Sequence, residues 1–304
     1  MSASLTPSAM PQERPPEPTP AIAIVIPCRD EAESIATTVG SLLAQTLPPA
    51  AIVVVDDGST DGTAGVVAGL AAAHPRVVRL VRTHGDAPRA SGAKIVAAFA
   101  RGLSSLDLDG YAFVGKFDAD LDFPPDYLAA VVGHFARDPR LGLVGGVCHV
   151  RGADGAWREE RVADEDHVRG ALKLYPVAAF RDIGGLQPCM GWDTLDEYQL
   201  RYRGYGVLAD GSLAVRHFRQ THETTAAAEK VAKQARAMRN FGFSWPLALA
   251  SYGKRVLRSP SELRHLPTFL ATFGSATRAS TLTEPEIAHV RRYRYARIRG
   301  KLFG

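Results

Sequence analysis

In Ala51-Ile52-Val53-Val54-Val55-Asp56-Asp57-Gly58-Ser59-Thr60-Asp61-Gly62-Thr63, a run of small and β-branched residues stops at two aspartates and turns through glycine. The apolar run predicts a strand, Ala51–Asp56, buried on both faces. Gly58 and Gly62 allow positive φ, and Asp61 or Thr63 can cap a helix over Thr63–Ala73. Asp57, Ser59, Asp61 and Gly62 imitate the start of a calcium loop, but its twelfth position holds Ala68 rather than Glu, which excludes that chemistry. A turn does not need the adjacent pair Asp56-Asp57. Carboxylates at a strand end can accept hydrogen bonds from a uracil or thymine N–H, or from a ribose.

Outward from this stretch the pattern repeats. Ala21–Pro27 predicts a buried strand, followed by a helix over Glu33–Gln45 through Ile35, Val39, Leu42 and Leu43, with Ser34 as a candidate cap. Strands follow at Val77–Arg82, Tyr111–Asp118 and Gly142–Val150, and helices at Ala90–Arg101 and Pro125–Arg137. Strands alternating with helices at short spacing predict an α/β fold with a Rossmann-like, mainly parallel central sheet flanked by helices. Ligands of such sheets sit beyond the carboxyl ends of the strands. Three of those ends are polar: Cys28-Arg29-Asp30-Glu31, Asp56-Asp57-Gly58-Ser59 and Asp118-Ala119-Asp120. Further on, Gly170–Arg181 reads as a helix interrupted by Pro176, Gly184-Gly185 as a turn, Asp193–Arg203 as a helix and Leu208–Phe218 as a strand. From Glu229 the chain reads as basic helices broken at Pro246, Pro260 and Pro267.

Asp118 and Asp120, two residues apart at a strand end, can address one divalent cation, Mg²⁺ or Mn²⁺, which can bridge a diphosphate. Asp122 extends the run, yet Phe123 and Ala129 stand where a calcium loop needs Gly and Glu. A solvated acidic turn is the plainer alternative.

Taken in order, these segments resemble the family 2 glycosyltransferases. Val25-Ile26-Pro27-Cys28-Arg29-Asp30-Glu31 is similar to the family's opening strand, Val55–Thr63 to its nucleotide loop, Ala90–Gly102 to the helix before the metal strand, and Lys116–Asp120 to its D-x-D motif. More loosely, Gly170-Ala171 and Ile183-Gly184-Gly185-Leu186 resemble the acceptor-side segment. The resemblance implies a GT-A fold with a basic helical C-terminal extension, and a metal-dependent enzyme moving a sugar from a nucleotide-sugar donor to an acceptor hydroxyl with inversion. It implies donor contacts from Pro27, Arg29, Asp30, Glu31, Asp56, Asp57, Ser59, Lys94 and Asp118, and metal ligation by Asp118 and Asp120. The family's catalytic base lies in a Glu-Asp pair opening a helix; here the order is Asp196-Glu197. Spacing favours Glu197 and residue type favours Asp196, so both stand. Trp192 and Asp193 are acceptor candidates. His217 and His222 follow a strand, and His217 is the candidate third metal ligand. Arg89, Lys94 and Lys116 are basic enough to touch a diphosphate. The Gln/Arg-x-x-Arg-Trp signature of processive synthases is matched only faintly by Gln234–Arg239.

The expected organisation is a Pro-rich disordered tail over 1–20, a catalytic domain over 21–224 (nucleotide-sugar half 21–122, acceptor-side half 123–224) and a basic helical region over 225–304. With 46% hydrophobic and 22% charged residues the chain has the balance of a globular protein. The net charge of +4 conceals an asymmetry: residues 225–304 carry 15 Lys and Arg against 4 Asp and Glu, a balance of +11, whereas residues 1–224 carry 21 against 28, a balance of −7. The basic end favours an anionic partner, here an anionic membrane surface presenting a lipid-linked sugar acceptor; no nucleic acid is expected. Three scattered cysteines, no secretory signal and no run of about 18 apolar residues predict a cytoplasmic protein, peripheral on the inner face of the cell membrane. A nucleotidyltransferase and a non-catalytic nucleotide-sugar-binding module are the competing readings. A dinucleotide oxidoreductase is excluded by the lack of G-x-G-x-x-G after the first strand.

Overall fold

The computed structural model describes residues 19–83, 92–160, 167–219 and 226–303. The tail over 1–18, Arg89 and His222 lie outside them. The strands are β1 (Ile22–Cys28), β2 (Ala51–Asp57), β3 (Val78–Thr83), β4 (Phe113–Phe117), β5 (Leu121–Asp122), β6 (Leu141–Arg151), β7 (Trp157–Glu159), β8 (Leu172–Pro176) and β9 (Gly206–His217). The helices are α1 (Ile35–Leu43), α2 (Thr63–Ala73), α3 (Ala93–Leu103), α4 (Tyr127–Arg137), α5 (Val177–Asp182), α6 (Trp192–Tyr202), α7 (Ala227–Asn240), α8 (Trp245–Arg258), α9 (Leu266–Ser275) and α10 (Glu284–Phe303).

All strands join one sheet in the order β3-β2-β1-β4-β8-β6-β9-β5, with β7 on the side of β6. Every residue of β1 and β2 is buried, as unbroken apolar runs in a sheet covered on both faces require. Each fully buried Val or Ile contributes about 1.5–3 kcal/mol through its removal from water. Strands β3, β2, β1 and β4 run parallel, and their register sets Cys28 beside Asp56 and Asp57 beside Thr83. The polar strand ends therefore converge on one edge. The chain order reverses between β1 and β4, where doubly wound sheets open a crevice.

The stretch Gly170–Arg181 departs from the helix expected of it. Leu172 and Leu174 join the cluster on the α1 and α4 face, while Tyr175 packs on the opposite face with Phe180. That two-residue alternation makes β8, antiparallel between β4 and β6. Pro176, which has no N–H to donate, ends the strand and caps the short helix α5. Pro246, Pro260 and Pro267 sit in the first turns of α8, of the 3₁₀ segment Pro260–His265 and of α9, so they open helices after the breaks they cause.

Helices α7 to α10 share an apolar cluster with Leu195 and Tyr198 of α6. Helix α10 is fixed by buried Ile287 and Val290 and by Arg203 Nη1 on Glu286 Oε1 at 3.0 Å. No described helix is long and apolar enough to cross a membrane.

The sheet also depends on close backbone approach at Gly145. A Cβ there would stand 2.3 Å from the Leu172 carbonyl oxygen and 2.6 Å from Val168 Cγ1. Gly145→Ala is expected to cost about 1–3 kcal/mol, because rigid backbone must yield to the methyl group. A urea midpoint equal to that of the unaltered protein would contradict this account of β6 against β8.

Candidate active site

Two loops form the rim of the crevice, and their own side chains stitch them together. Asp30 adopts φ 54°, a left-handed conformation that Asp tolerates through local hydrogen bonds. Its N–H donates to Ser59 Oγ at 3.0 Å, and its Oδ1 accepts from the Thr60 N–H at 2.7 Å. Asp61 accepts from the Ala32 N–H at 3.1 Å and from the Thr63 N–H at 2.9 Å, which supplies the first turn of α2 with an acceptor. Backbone hydrogen bonds to Thr60, with the Thr60 hydroxyl, outweigh burial and hold the Asp30 carboxyl below its usual range. Asp30 and Ser59 thus join the β1 loop to the β2 loop, and neither lines the crevice.

The crevice itself is a cavity of about 430 Å³ lined by Pro27, Arg29, Glu31, Asp57, Lys94 and Asp118, among others. Asp57 accepts from the Thr83 hydroxyl at 2.6 Å. Asp56 lies behind it with no exposure; its Oδ1 accepts from the Ser59 N–H at 3.0 Å, whereas its Oδ2 has no hydrogen-bond partner among the described residues. The nearest cation to that oxygen is Arg82 Nε at 3.6 Å.

Asp118, Asp120 and His217 meet at one end of this cavity, with a ligand atom of each within 4.8 Å of the others. Chain order separates His217 from the aspartates, but β9 pairs antiparallel with β5 so that His217 stands opposite Leu121. Its Nε2 lies 3.3 Å from Asp120 Oδ2. Burial disfavours a charged imidazole at His217, yet Asp120 and Asp118 outweigh it and raise the His217 pKa. Glu31 is pushed up by burial first and then by Asp120 and Asp118, against Ser34 and Arg219. For Asp118 burial opposes ionisation, but Lys116, itself buried, holds the carboxyl below its usual range. Two carboxylates and an imidazole, converging on one point, fit a divalent cation.

A second cavity, about 820 Å³, opens on the other side of Asp118; Ile95 and Asp118 line both. Trp192, Asp193 and Glu197 from α6 line it, and Asp196 does not. Trp192 packs its ring on Gly170, where a Cβ would come within 2.9 Å, and the Lys116 ammonium lies 5.3 Å from the ring centroid. The two buried carboxylates of α6 face different surroundings. Asp196 Oδ2 meets Lys173 Nζ at 2.9 Å and also accepts from the Tyr175 hydroxyl. Burial and the adjacent Glu197 charge push Asp196 up to about 6 despite Lys173. Burial acts on Glu197 too, but Lys173, His167 and Arg201 outweigh it and bring Glu197 down to about 2. Glu197 Oε1 accepts from the Val168 N–H at 2.9 Å and meets His167 Nδ1 at 3.0 Å, while Oε2 accepts from Arg201 at 3.1 Å. His167 Nε2 stands 3.8 Å from Asp193, linking the buried carboxylate to the more open one.

Of the residues singled out from sequence, Pro27, Arg29, Glu31, Asp57, Lys94, Asp118, Asp120 and His217 share the first cavity, and Trp192, Asp193 and Glu197 share the second with Lys116. Asp30, Asp56, Ser59 and Asp196 support them from outside. Sequence reasoning missed Lys173, His167 and Glu160. Glu160 Oε2 lies 3.6 Å from His217 Nδ1. Nothing local in the sequence marks these three; only the antiparallel insertion of β8 brings Lys173 under α6.

The chain resembles known proteins in sequence and in fold. The chain matches the family model for glycosyl transferase family 2 over residues 23–187, a little more than half its length. It is 29% identical over 213 residues to the succinoglycan biosynthesis protein ExoA of Rhizobium meliloti, spanning 60% of this chain and 59% of that one. It is 33% identical over 115 residues to the polyprenol monophosphomannose synthase of Mycolicibacterium smegmatis, spanning 38% of this chain and 41% of that one. In both cases less than two thirds of the relative's length is matched. Among solved structures, the mannosyltransferase PcManGT of Pyrobaculum calidifontis, in complex with GDP-Man and Mn²⁺, superposes with TM-score 0.58 at 23% identity over 90% of this chain and 79% of that one. GalNAc-T7 with UDP, GalNAc and Mn²⁺ superposes with TM-score 0.59 at 15% identity over 86% of this chain and 55% of that one. These two likenesses establish the GT-A fold. The matched residues 23–187 run from β1 through the nucleotide loop and Asp118-Ala119-Asp120 to the turn before α6, and on that match the chain belongs to glycosyl transferase family 2.

Proposed function

We propose that this glycosyltransferase moves a sugar from a nucleotide-sugar donor to an acceptor hydroxyl with inversion, in the assembly of a polysaccharide or glycolipid. The observation that carries the reading is the meeting of Asp118, Asp120 and His217 in the first cavity, where Asp118 also lines the second. The nucleotide would lie along Pro27, Arg29, Glu31 and Asp57, with Lys94 on the diphosphate. A base or ribose donor reaching Asp56 would satisfy its orphaned Oδ2. Asp118, Asp120 and His217 would hold the divalent cation, and the imidazole favours Mn²⁺ over Mg²⁺, which prefers an all-oxygen shell. Bound there, the metal supplies charge stabilisation for the departing diphosphate.

The acceptor would stack on Trp192 and hydrogen-bond Asp193 in the second cavity. Its hydroxyl oxygen attacks the anomeric carbon from the face opposite the diphosphate; the bond to the diphosphate oxygen breaks, and the hydroxyl proton passes to a carboxylate. Between Asp196 and Glu197, Glu197 is the one that lines the cavity, which places its carboxylate where an acceptor proton can reach it. Asp196 would position it through Lys173. The relatives' names, succinoglycan biosynthesis and polyprenol monophosphomannose synthesis, support surface polysaccharide or lipid-linked sugar chemistry. Exposed Arg292 and Arg299 on α10 suit contact with an anionic lipid surface at the inner face of the membrane.

The test is hydrolysis of UDP-, GDP- and dTDP-sugars by the purified protein with Mn²⁺. Slow release of a nucleoside diphosphate from one donor, lost on chelation, is expected. Release of inorganic diphosphate would instead mark a nucleotidyltransferase, and tight donor binding without turnover on any acceptor a binding module.

A further inference from the structure

His217 reaches the aspartate cluster with one ring nitrogen and leaves the other behind it. Nε2 lies 3.3 Å from Asp120 Oδ2, on the side where the three candidate ligands meet. A neutral imidazole whose Nε2 lone pair faces a cation carries its proton on Nδ1, and that N–H then needs an acceptor. His217 Nδ1 is buried and has no hydrogen-bond partner among the described residues. An interior N–H left in that state is costly. The carboxylate that faces it belongs to Glu160, whose Oε2 stands 3.6 Å away, just beyond hydrogen-bonding distance.

The sheet builds this pairing. Strands β7 and β9 flank β6: His149 stands opposite Glu159 on one side and Arg216 on the other, and Val150 stands opposite His217. One residue past β7, the Glu160 N–H donates to the Cys148 carbonyl at 2.8 Å. Side chains alternate along a strand, so Cys148 and Val150 share a face of β6. Glu160 and His217, their neighbours, come out on that face and meet across the strand between them. The Glu160 side chain is 9% exposed and pairs with Arg169 Nη1, which fixes the carboxylate behind the ring. Glu160 lines neither the first cavity nor the second, so any effect it has on the cluster passes through another side chain.

We infer that Glu160 is a positioning residue of the metal site: it accepts the Nδ1–H of His217 and so holds Nε2 toward Asp118 and Asp120. The inference rests on the metal assignment proposed above. Its test is Mn²⁺ binding to the full chain, followed by electron paramagnetic resonance in the unaltered protein, Glu160→Ala, His217→Ala and the double variant. Glu160→Ala is expected to weaken Mn²⁺ binding about tenfold to a hundredfold with the far-ultraviolet circular dichroism unaltered. In the His217→Ala background the same substitution should cost less than about twofold, because no imidazole remains to be held. A carboxylate acting through its charge alone, or only by fixing Arg169, would cost as much in both backgrounds, and that result would overturn the inference.

Competition with Mg²⁺ gives a second reading. Mg²⁺ prefers an all-oxygen shell, so Glu160→Ala should weaken it less than Mn²⁺. Equal losses for the two metals would also overturn the inference, and this comparison decides alone where the His217→Ala proteins bind too weakly to measure. If Glu160→Ala fails to fold, Glu160→Gln is read by the same criteria. Asp120→Asn reports on the metal site itself. Binding weakened by Asp120→Asn but untouched by Glu160→Ala defeats the role of Glu160 and spares the site. Binding untouched by both Asp120→Asn and His217→Ala defeats the site, and the role of Glu160 with it.

Discussion

Asp120→Asn is expected to reduce sugar transfer by about a thousandfold or more while the protein stays folded. The amide keeps the volume of the carboxylate but removes the charge that, with Asp118 and His217, would hold a divalent cation. The local fold does not rest on that side chain. Thr38 Oγ donates to the Ala119 carbonyl at 2.8 Å and accepts from the Leu121 N–H at 3.0 Å, and the Phe218 N–H donates to the Asp120 carbonyl at 3.0 Å. Donor turnover with Mn²⁺, Mn²⁺ binding by electron paramagnetic resonance and far-ultraviolet circular dichroism should show activity and metal affinity falling together with the spectrum unaltered. Full transfer by a folded variant would remove Asp120 from the metal site.

Lys173→Met should be the most damaging single substitution for stability, at about 3–5 kcal/mol. Lys173 has no exposure and serves two carboxylates, Asp196 at 2.9 Å and Glu197 at 3.5 Å. Methionine fills the space and leaves those charges facing each other in the interior. Acidification should ease the deficit. Asp196 already sits above its ordinary range, at about 6, and loss of the ammonium can only raise it. A raised carboxyl pKa penalises the folded state once the group ionises, so stability falls as pH rises through that value and recovers below it. Asp196→Asn in the same chain should restore part of the loss. A loss of unfolding free energy below about 1 kcal/mol, measured by urea at pH 7.5, would show that Lys173 does not carry this charge balance.

Much of the fold is legible in the sequence because its first strands are buried on both faces and therefore apolar without interruption. Ala51–Asp57 and Ile22–Cys28 leave no competing period to read. The polar ends that follow them are equally local, which is why Asp57, Asp118 and Asp120 could be named without coordinates. Leu172-Lys173-Leu174-Tyr175 was misread as helical because an alternation over so few residues fits either period, and the deciding fact is tertiary: α5 on one side and α1 with α4 on the other. Which of Asp196 and Glu197 faces the second cavity was equally closed to the sequence. Adjacent residues on a helix point about 100° apart, so one reaches the cavity and the other the space behind Lys173, and only the packing of α6 says which. Asp30 and Ser59 show the reverse limit. Motif spacing groups them with the crevice residues, while the Asp30 N–H donates to Ser59 Oγ and the Asp30 carboxylate accepts from Thr60, joining the two loops beside the crevice.

The first cavity is lined wholly from the first 219 positions, whereas the second adds a far wall that begins at Lys230 and ends at Arg297, and the two parts of the chain meet where Gly191 opens α6 against Phe241. Such a division makes the far wall evolutionarily exchangeable. A descendant that acquired other helices after position 226 would keep the first cavity and its Asp118, Asp120 and His217 cluster while changing the far wall of the second, provided position 191 stayed glycine so that the new helix could seat as closely as the old one.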